Sequence, residues 1–147
     1  MQSIKNIILT ELAQNASITQ ANQILPQPIL SKIANYPEKI QLLEVSIACY
    51  WPDCHPAQGQ SLATDWATIL TGVTMKNGLL GLWENSHKAL ISDDILLIKS
   101  FTDTPTLANN LDHLLDRVSH WGRVCNEEVM AVEIGSFMGS VMLLISL

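Results

Sequence analysis

The chain has 147 residues, of which 48% are hydrophobic and 15% are charged, so a globular fold with a large core is expected and an intrinsically disordered chain is excluded. One domain spanning residues 1–147 is predicted, because no linker is long enough to divide the chain. The net charge is −6 and the eight basic residues are scattered singly, which excludes a nucleic acid partner because binding to a phosphate backbone needs clustered Lys and Arg.

The first third of the chain predicts short helices. Apolar residues recur at helical spacing over residues 4–12, which indicates an amphipathic first helix. Several further short helices are expected over residues 17–51. Within that stretch, residues 40–51 are ambiguous, because their apolar side chains fit both the alternation of a strand and the step of a helix. Pro37 and Glu38 at the start of the stretch favour the helix.

The middle of the chain admits two interpretations. Residues 61–76 carry a clean helical stripe, and Asn77 with Gly78 supplies a C-terminal stop. Asn77-Gly78 is also typical of a hairpin turn, which would make residues 79–84 and 95–101 strands. The segment Ser92-Asp93-Asp94 favours a helix there, because it has the composition of a helix N-cap followed by an apolar run.

The last third predicts the two main helices. Thr104-Pro105 opens the longest one, whose apolar stripe continues to Trp121. Asn126-Glu127-Glu128 then caps a final helix over residues 127–147, which is apolar nearly all round and therefore enclosed by the others. Its uncharged run is shorter than the roughly 20 residues that span a bilayer, so at most a peripheral membrane contact is expected. The fold class predicted is all-α, a compact helical bundle around a buried central hydrophobic helix.

The three cysteines are an odd number, which is unlike a disulfide framework and, with an N-terminus that has no signal-peptide pattern, predicts a cytoplasmic protein. Cys49, Cys54 and His55, with His120 and Cys125 as further candidates, are ligand types that zinc prefers. The four-residue gap between Cys49 and Cys54 lacks the tight loop of common zinc knuckles, so a packing or loop role is favoured. No metal, cofactor or catalytic residue is assigned. A small cysteine- or His-dependent enzyme, or a metal-binding protein, stays open as the alternative.

The segment from Val118 to Cys125 contains Trp121-Gly122-Arg123 and resembles the Trp-Gly-Arg signature of the Bcl-2 apoptosis regulators. In that family the segment opens the buried central helix, and its arginine pairs with an aspartate of a bound partner helix. The resemblance implies that Val118, Trp121, Gly122 and Arg123 contact a partner.

A second register of the same resemblance places the signature at residues 64–70, which makes Trp66 and Leu70 the partner-binding residues. In either register the resemblance is to the reduced viral members. It implies an inhibitor of apoptosis, not an enzyme, that sequesters the amphipathic death-motif helices of pro-apoptotic proteins in a hydrophobic groove. A homodimer, or a structural protein that only associates with itself, is the remaining alternative.

Overall fold

The computed structural model describes residues 25–35 and 41–147, which form a mixed α/β fold around one five-stranded antiparallel sheet. The strands are β1 (Val45–Pro52), β2 (Thr74–Glu84), β3 (Leu90–Thr102), β4 (Val129–Ser136) and β5 (Gly139–Ser146). The helices of the described residues are α1 (Gln27–Ala34), α2 (Pro56–Leu70) and α3 (Thr104–Val124).

The strands lie in the order β2-β3-β1-β4-β5, and every neighbouring pair is antiparallel. Helix α2 connects β1 to β2, and α3 connects β3 to β4, so each helix crosses over one intervening strand. Four strands and two helices in this arrangement form a ferredoxin-like split β-α-β fold. Strand β5 extends the sheet beyond β4 by a hairpin.

One face of the sheet is covered by α2 and α3. The alternate residues of β1 that point to this face, from Val45 to Trp51, are buried. Trp66 of α2 and Leu114 of α3 are fully buried in the same core, and the Trp66 indole Nε1 donates a hydrogen bond to the Leu114 carbonyl at 3.2 Å. The two helices are thereby joined to each other over the central strand.

The all-α prediction and the Bcl-2-like helical bundle are wrong. Residues 45–52 form the central strand, so the alternation in this stretch was the correct signal and the helical step was a coincidence. The predicted final helix is instead the β4–β5 hairpin, with Gly139 at φ +128° after the turn. A continuous apolar run fits a buried strand as well as an enclosed helix, because periodicity alone does not separate them.

The middle of the chain follows the hairpin interpretation, and the strands of that alternative are confirmed within β2 and β3. Asn77-Gly78 does not turn the hairpin, however; it lies at a bulge in β2, where Gly78 adopts φ +84°. Ser92-Asp93-Asp94 is part of β3 and caps no helix.

Two helices predicted from the sequence are confirmed in type. Helix α2 begins at Pro56, earlier than the predicted residue 61, and ends at Leu70, where Thr71 adopts a left-handed conformation with φ 69°. The predicted end at residue 76 is wrong, because β2 begins at Thr74. The longest helix is α3, and the Asp103 side chain caps it by accepting a hydrogen bond from the Thr106 backbone N–H at 2.8 Å. The predicted first helix over residues 4–12 lies outside the described residues. Over the part of the chain that is described, no helix is both long and apolar enough to cross a bilayer.

Candidate functional site

The sheet face opposite α2 and α3 is called the open face. Within the described residues, neither of these long helices covers it. Because side chains alternate along a strand, the outward residues of all five strands share this face. Several of its large apolar side chains are exposed, namely Trp83 (49%), Phe101 (58%), Met142 (48%) and Leu144 (71%). An exposed apolar surface of this kind marks a site of binding.

A cavity of about 600 Å³ lies at the end of the open face where β1 begins. That volume is within the range of small-molecule sites. Its walls include both aromatic and polar groups, among them Ser46, Lys99, Phe101, Glu133, Ser136 and Ser140. This cavity is called the large pocket.

Glu133 is held in one orientation by two hydroxyl groups. The Tyr50 hydroxyl donates to Glu133 Oε1 at 3.1 Å, and the Ser140 hydroxyl donates to Glu133 Oε2 at 2.9 Å. Tyr50 and Glu133 belong to the adjacent strands β1 and β4, and the β4–β5 hairpin brings Ser140 to the second oxygen. Burial raises the pKa of Tyr50, and its hydrogen bond to Glu133 and the charge of that carboxylate raise it further. The phenol therefore remains a hydrogen-bond donor at neutral pH.

Lys99 on β3, the other neighbour of β1, provides a positive charge. The Lys99 ammonium lies 4.9 Å from the centre of the Phe101 ring, and both side chains line the large pocket with Glu133. The pocket thus offers a cation, an anion and an aromatic surface. Such a set suits a ligand that has both charges and a flat apolar part.

A smaller cavity of about 210 Å³ lies farther along the open face, and Tyr50 is one of the residues that line it. Trp83, Asp93 and Glu127 also line it. Beside this smaller pocket, the potential ligand atoms of Cys54, His55 and Glu127 lie within 4.8 Å of one another.

The charges around this cluster are mostly negative. Burial raises the pKa of Glu127; the charge of His55 partly offsets this, and Asp93 adds to it. Burial also raises the pKa of the Cys54 thiol, as does the charge of Glu127. Burial and the charge of Glu127 also raise the pKa of Cys125. The thiols are therefore protonated at neutral pH when no cation is bound.

The residues assigned to partner binding from the sequence lie on the helical side of the protein. Trp66, Leu70 and Val118 share one core, so they are brought together, but as interior packing beneath the sheet. Trp121 is half-buried, and its indole Nε1 donates to Asp65 Oδ2 at 2.8 Å. Arg123 is exposed.

The glycine of the Trp-Gly-Arg segment has a structural explanation. A Cβ at Gly122 would lie 3.0 Å from Met130 Cγ and 2.5 Å from Leu147 Cδ1. The small residue therefore permits α3 to approach β4 and the C-terminal residue. The Bcl-2 signature is therefore matched in sequence without a shared fold.

Several residues of the open face were missed from the sequence. Tyr50 and Glu133 were placed in predicted helices, and Lys99 was placed in the apolar run after a predicted helix N-cap. Glu127 was interpreted as a helix-capping residue, although it joins Cys54 and His55 in space. The alternation of residues 45–51 was the available signal. It separates Tyr50 from the buried side chains on either side of it.

Comparisons with known proteins support the fold. No family model matches the chain, and no curated protein matches its sequence. A solved structure described as a phage SAM lyase in complex with S-methyl-5'-thioadenosine is similar, with a TM-score of 0.54 and 13% identity over 75% of this chain and 95% of that chain. A phage SAM lyase in the apo state gives a TM-score of 0.53 and 10% identity over 74% of this chain and 95% of that chain.

These neighbours contradict the hypothesis drawn from the Trp-Gly-Arg segment. They are α/β proteins and enzymes, whereas a Bcl-2-like, non-catalytic inhibitor of apoptosis would be a helical bundle. At these identities, the shared feature is the fold.

Proposed function

We propose that this chain is an enzyme that binds S-adenosylmethionine on the open face and cleaves it to release 5'-methylthioadenosine. The observation that carries the proposal is the fold shared with phage SAM lyase over 95% of that chain, combined with an anchored carboxylate in a pocket of suitable size. The sequence left a cysteine- or His-dependent enzyme as the alternative. The present proposal is also an enzyme, but it does not assign the reaction to a cysteine or a histidine. Because S-adenosylmethionine is an intracellular metabolite, a cytoplasmic location belongs to this proposal.

The groups of the large pocket match the chemistry of the substrate. S-adenosylmethionine has a sulfonium cation, an amino acid group of both charges and a flat adenine. Glu133 would face the sulfonium or the ammonium, and Lys99 would pair with the substrate carboxylate. The Phe101 ring offers a stacking surface for adenine. In a pocket partly shielded from water, these charge interactions are stronger than at an open surface.

The arrangement favours internal displacement over elimination. In displacement, a carboxylate oxygen of the substrate forms a bond to Cγ while the bond from Cγ to sulfur breaks. The electron pair of that bond leaves with 5'-methylthioadenosine, and homoserine lactone is the second product. Elimination would instead need a base to remove a proton from Cβ. Both oxygens of Glu133 already accept a hydrogen bond, which fixes the carboxylate as a partner for positive charge rather than directing it at a Cβ proton.

The role of the protein in this step is orientation. Internal displacement needs the substrate carboxylate and the sulfur held on opposite sides of Cγ. A cationic group that fixes the carboxylate folded back behind Cγ and an anionic group beside the sulfonium would favour that alignment, and fixing it lowers the entropic part of the barrier. Lys99 and Glu133 are the residues that we assign to these two tasks.

The test is a product assay with the full chain. Purified protein incubated with S-adenosylmethionine should release 5'-methylthioadenosine, detected by chromatography, and homoserine lactone, detected by NMR. Glu133→Gln should lower kcat/KM by about tenfold or more, since it removes a charge at the reacting group. Glu84→Gln is the matched control, because Glu84 is exposed at the end of β2, and it should retain the full rate. If the unmodified chain neither binds nor cleaves S-adenosylmethionine, the proposal is overturned.

A further inference from the structure

The cluster at the end of the smaller pocket is formed by two chain segments that the sheet brings together. Strand β1 ends at Pro52, and Cys54 and His55 follow before α2 begins. Glu127 precedes β4, which is the antiparallel neighbour of β1, with Tyr50 opposite Ala131. The end of one strand therefore lies beside the start of the other.

The backbone on the β1 side of the cluster is fixed without help from the ligand atoms. The Trp51 indole Nε1 donates to the His55 carbonyl at 2.9 Å, and the His55 N–H donates to the Pro52 carbonyl at 3.2 Å. The Asp53 N–H donates to the Asp94 carbonyl of β3 at 2.9 Å. Preorganised positions of this kind lower the cost of binding a ligand.

The loop that leads to Glu127 is fixed in the same way. The Glu127 N–H donates to the Gly122 carbonyl at 3.0 Å, and Asn126 before it turns left-handed with φ 57°. Both loops thus hold the three side chains close together through hydrogen bonds that do not use their own ligand atoms. The carboxylate, the imidazole and the thiol remain available for a ligand.

The distances suit a tetrahedral cation. His55 Nε2 lies 3.5 Å from Glu127 Oε1, and the ligand atoms of the three residues lie within 4.8 Å of one another. Around a tetrahedral zinc ion, neighbouring nitrogen, oxygen and sulfur ligands are about 3.3–3.6 Å apart. The His55–Glu127 pair already has that spacing. Cys54 is exposed, so its side chain can change rotamer to bring the sulfur to the same spacing.

An ion pair between His55 and Glu127 beside a surface thiol is the simpler interpretation, but it leaves the surrounding negative charge unbalanced. Asp93 and Glu128 both act on Glu127, and Asp53 and Asp93 act on Cys54. One imidazole does not neutralise these carboxylates. A divalent cation would do so, and a donor set of sulfur, nitrogen and oxygen favours zinc over magnesium or calcium.

We propose that Cys54, His55 and Glu127 bind one Zn²⁺ through the thiolate sulfur, the imidazole Nε2 and a carboxylate oxygen. A water molecule occupies the fourth position. On binding, the thiol of Cys54 loses its proton to solvent as the sulfur–zinc bond forms. Glu127 also lines the smaller pocket, so the fourth position is reached from the open face. Three protein ligands with an exchangeable fourth are typical of zinc sites that act on a bound molecule.

The experiment measures metal binding with no substrate present, so its outcome is independent of the proposed lyase activity. The metal-free full chain is titrated with Zn²⁺ by calorimetry, and with Co²⁺ by absorption spectroscopy. We expect one ion per chain, tetrahedral Co²⁺ bands in the visible region and a thiolate-to-cobalt charge-transfer band in the near ultraviolet.

Single variants test the ligand assignment. Cys54→Ser, His55→Ala and Glu127→Gln should each weaken Zn²⁺ binding at least about tenfold, and Cys54→Ser should abolish the charge-transfer band. The matched controls are His120→Asn and Glu84→Gln, both of exposed residues, and they should bind as the unmodified chain does. Circular dichroism checks that each variant is folded. Absence of Zn²⁺ binding, or binding that survives all three ligand changes, would overturn the proposal.

Discussion

The phenol of Tyr50 lies 3.1 Å from the carboxylate of Glu133, diagonally across the β1–β4 strand pair, and it stands between the two pockets of the open face. Tyr50 lines the smaller pocket, whereas Glu133 lines the large one. The hydrogen bond therefore lets Tyr50, which lines the smaller pocket, orient the Glu133 carboxylate in the large pocket. It also occupies one oxygen of Glu133 and so limits the orientations that the carboxylate can adopt.

Replacing Tyr50 with Phe should lower the rate of S-adenosylmethionine cleavage without unfolding the protein. The change keeps the ring but removes the donor, and a hydrogen bond to a charged group contributes about 1.5–3 kcal/mol. We therefore expect kcat/KM to fall by about tenfold or more. The measurement is the release of 5'-methylthioadenosine by Tyr50→Phe and the unmodified chain.

A matched pair of serine variants controls that prediction. Ser140→Ala removes the second donor to Glu133 and should also lower the rate, whereas Ser61→Ala removes an exposed hydroxyl on α2 and should not. If Tyr50→Phe and Ser140→Ala both retained the full rate, the orientation of Glu133 would not matter for the reaction.

Asp65 links α2 to α3, and its contribution to stability should depend on pH. Its carboxylate accepts hydrogen bonds from Trp121 Nε1 at 2.8 Å and Arg117 Nε at 2.9 Å. Burial alone raises the pKa of Asp65, but these two bonds and the guanidinium charge outweigh it, so the folded-state pKa is lowered. The stabilisation is therefore fully present above the pKa of Asp65 in the unfolded chain. It is lost as the pH falls through the lower folded-state pKa.

Asp65→Asn should reduce the free energy of unfolding by about 1 kcal/mol at neutral pH, since the site is partly exposed and solvent weakens its charge interactions. The difference from the unmodified chain should disappear in acid. Urea unfolding at several pH values measures this, with Asp116→Asn as the control because Asp116 is exposed on α3. A loss of stability that stays constant down to low pH would contradict the assignment.

The sequence predicted the helices better than the sheet, and the cause is physical. The stripe of α3 is amphipathic, so the helix period of 3.6 is visible in its sequence. Strand β1 is buried on one face and half-buried on the other, so its apolar residues fit the step of a helix as well as the alternation of a strand. For β4 and β5 the apolar run has no clear period, and only the pairing of β4 with β1 and of β5 with β4 makes it part of the sheet.

The candidate sites were beyond reach of the sequence for a related reason. Tyr50 and Glu133 are separated by 83 residues, and a crossover through α2, β2, β3 and α3 brings them together. Cys54 and His55 were recognised as zinc ligand types, but Cys49 points into the core on β1 and is no part of the cluster. The partner that they meet, Glu127, becomes visible only when β4 is known to pair with β1.

The three cysteines should differ in reactivity in the metal-free protein. Cys54 is exposed, whereas Cys49 is buried on the covered face of β1, and burial raises the pKa of Cys49 to about 12. A thiol-specific reagent should therefore modify Cys54 first. Because the pKa of Cys54 is raised, its rate should still be increasing as the pH passes the usual range of thiol ionisation.

Mass spectrometry of the folded chain measures the order of modification, and Cys54→Ser provides the control, which should remain unmodified under the same conditions. Unfolding in urea should make Cys49 and Cys125 reactive. Rapid modification of Cys49 in the folded protein would contradict the burial of β1.

Gly59 sets the distance between α2 and β1. A Cβ at this position would lie 2.7 Å from Trp51 Cδ1 and 2.9 Å from Trp51 Nε1, and the indole cannot easily yield because its Nε1 donates to the His55 carbonyl. Overpacking of this kind costs about 1–3 kcal/mol, against which alanine regains up to about 1 kcal/mol of helix propensity. Gly59→Ala should therefore lower the free energy of unfolding by about 1–2 kcal/mol, measured by urea unfolding.

Gly72→Ala is the matched control, because nothing lies within 4 Å of a Cβ there, and its effect should stay within about 0.5 kcal/mol. If Gly59→Ala were as stable as the unmodified chain, α2 would have room to move away from β1, and the tight contact with Trp51 would not be required for the fold.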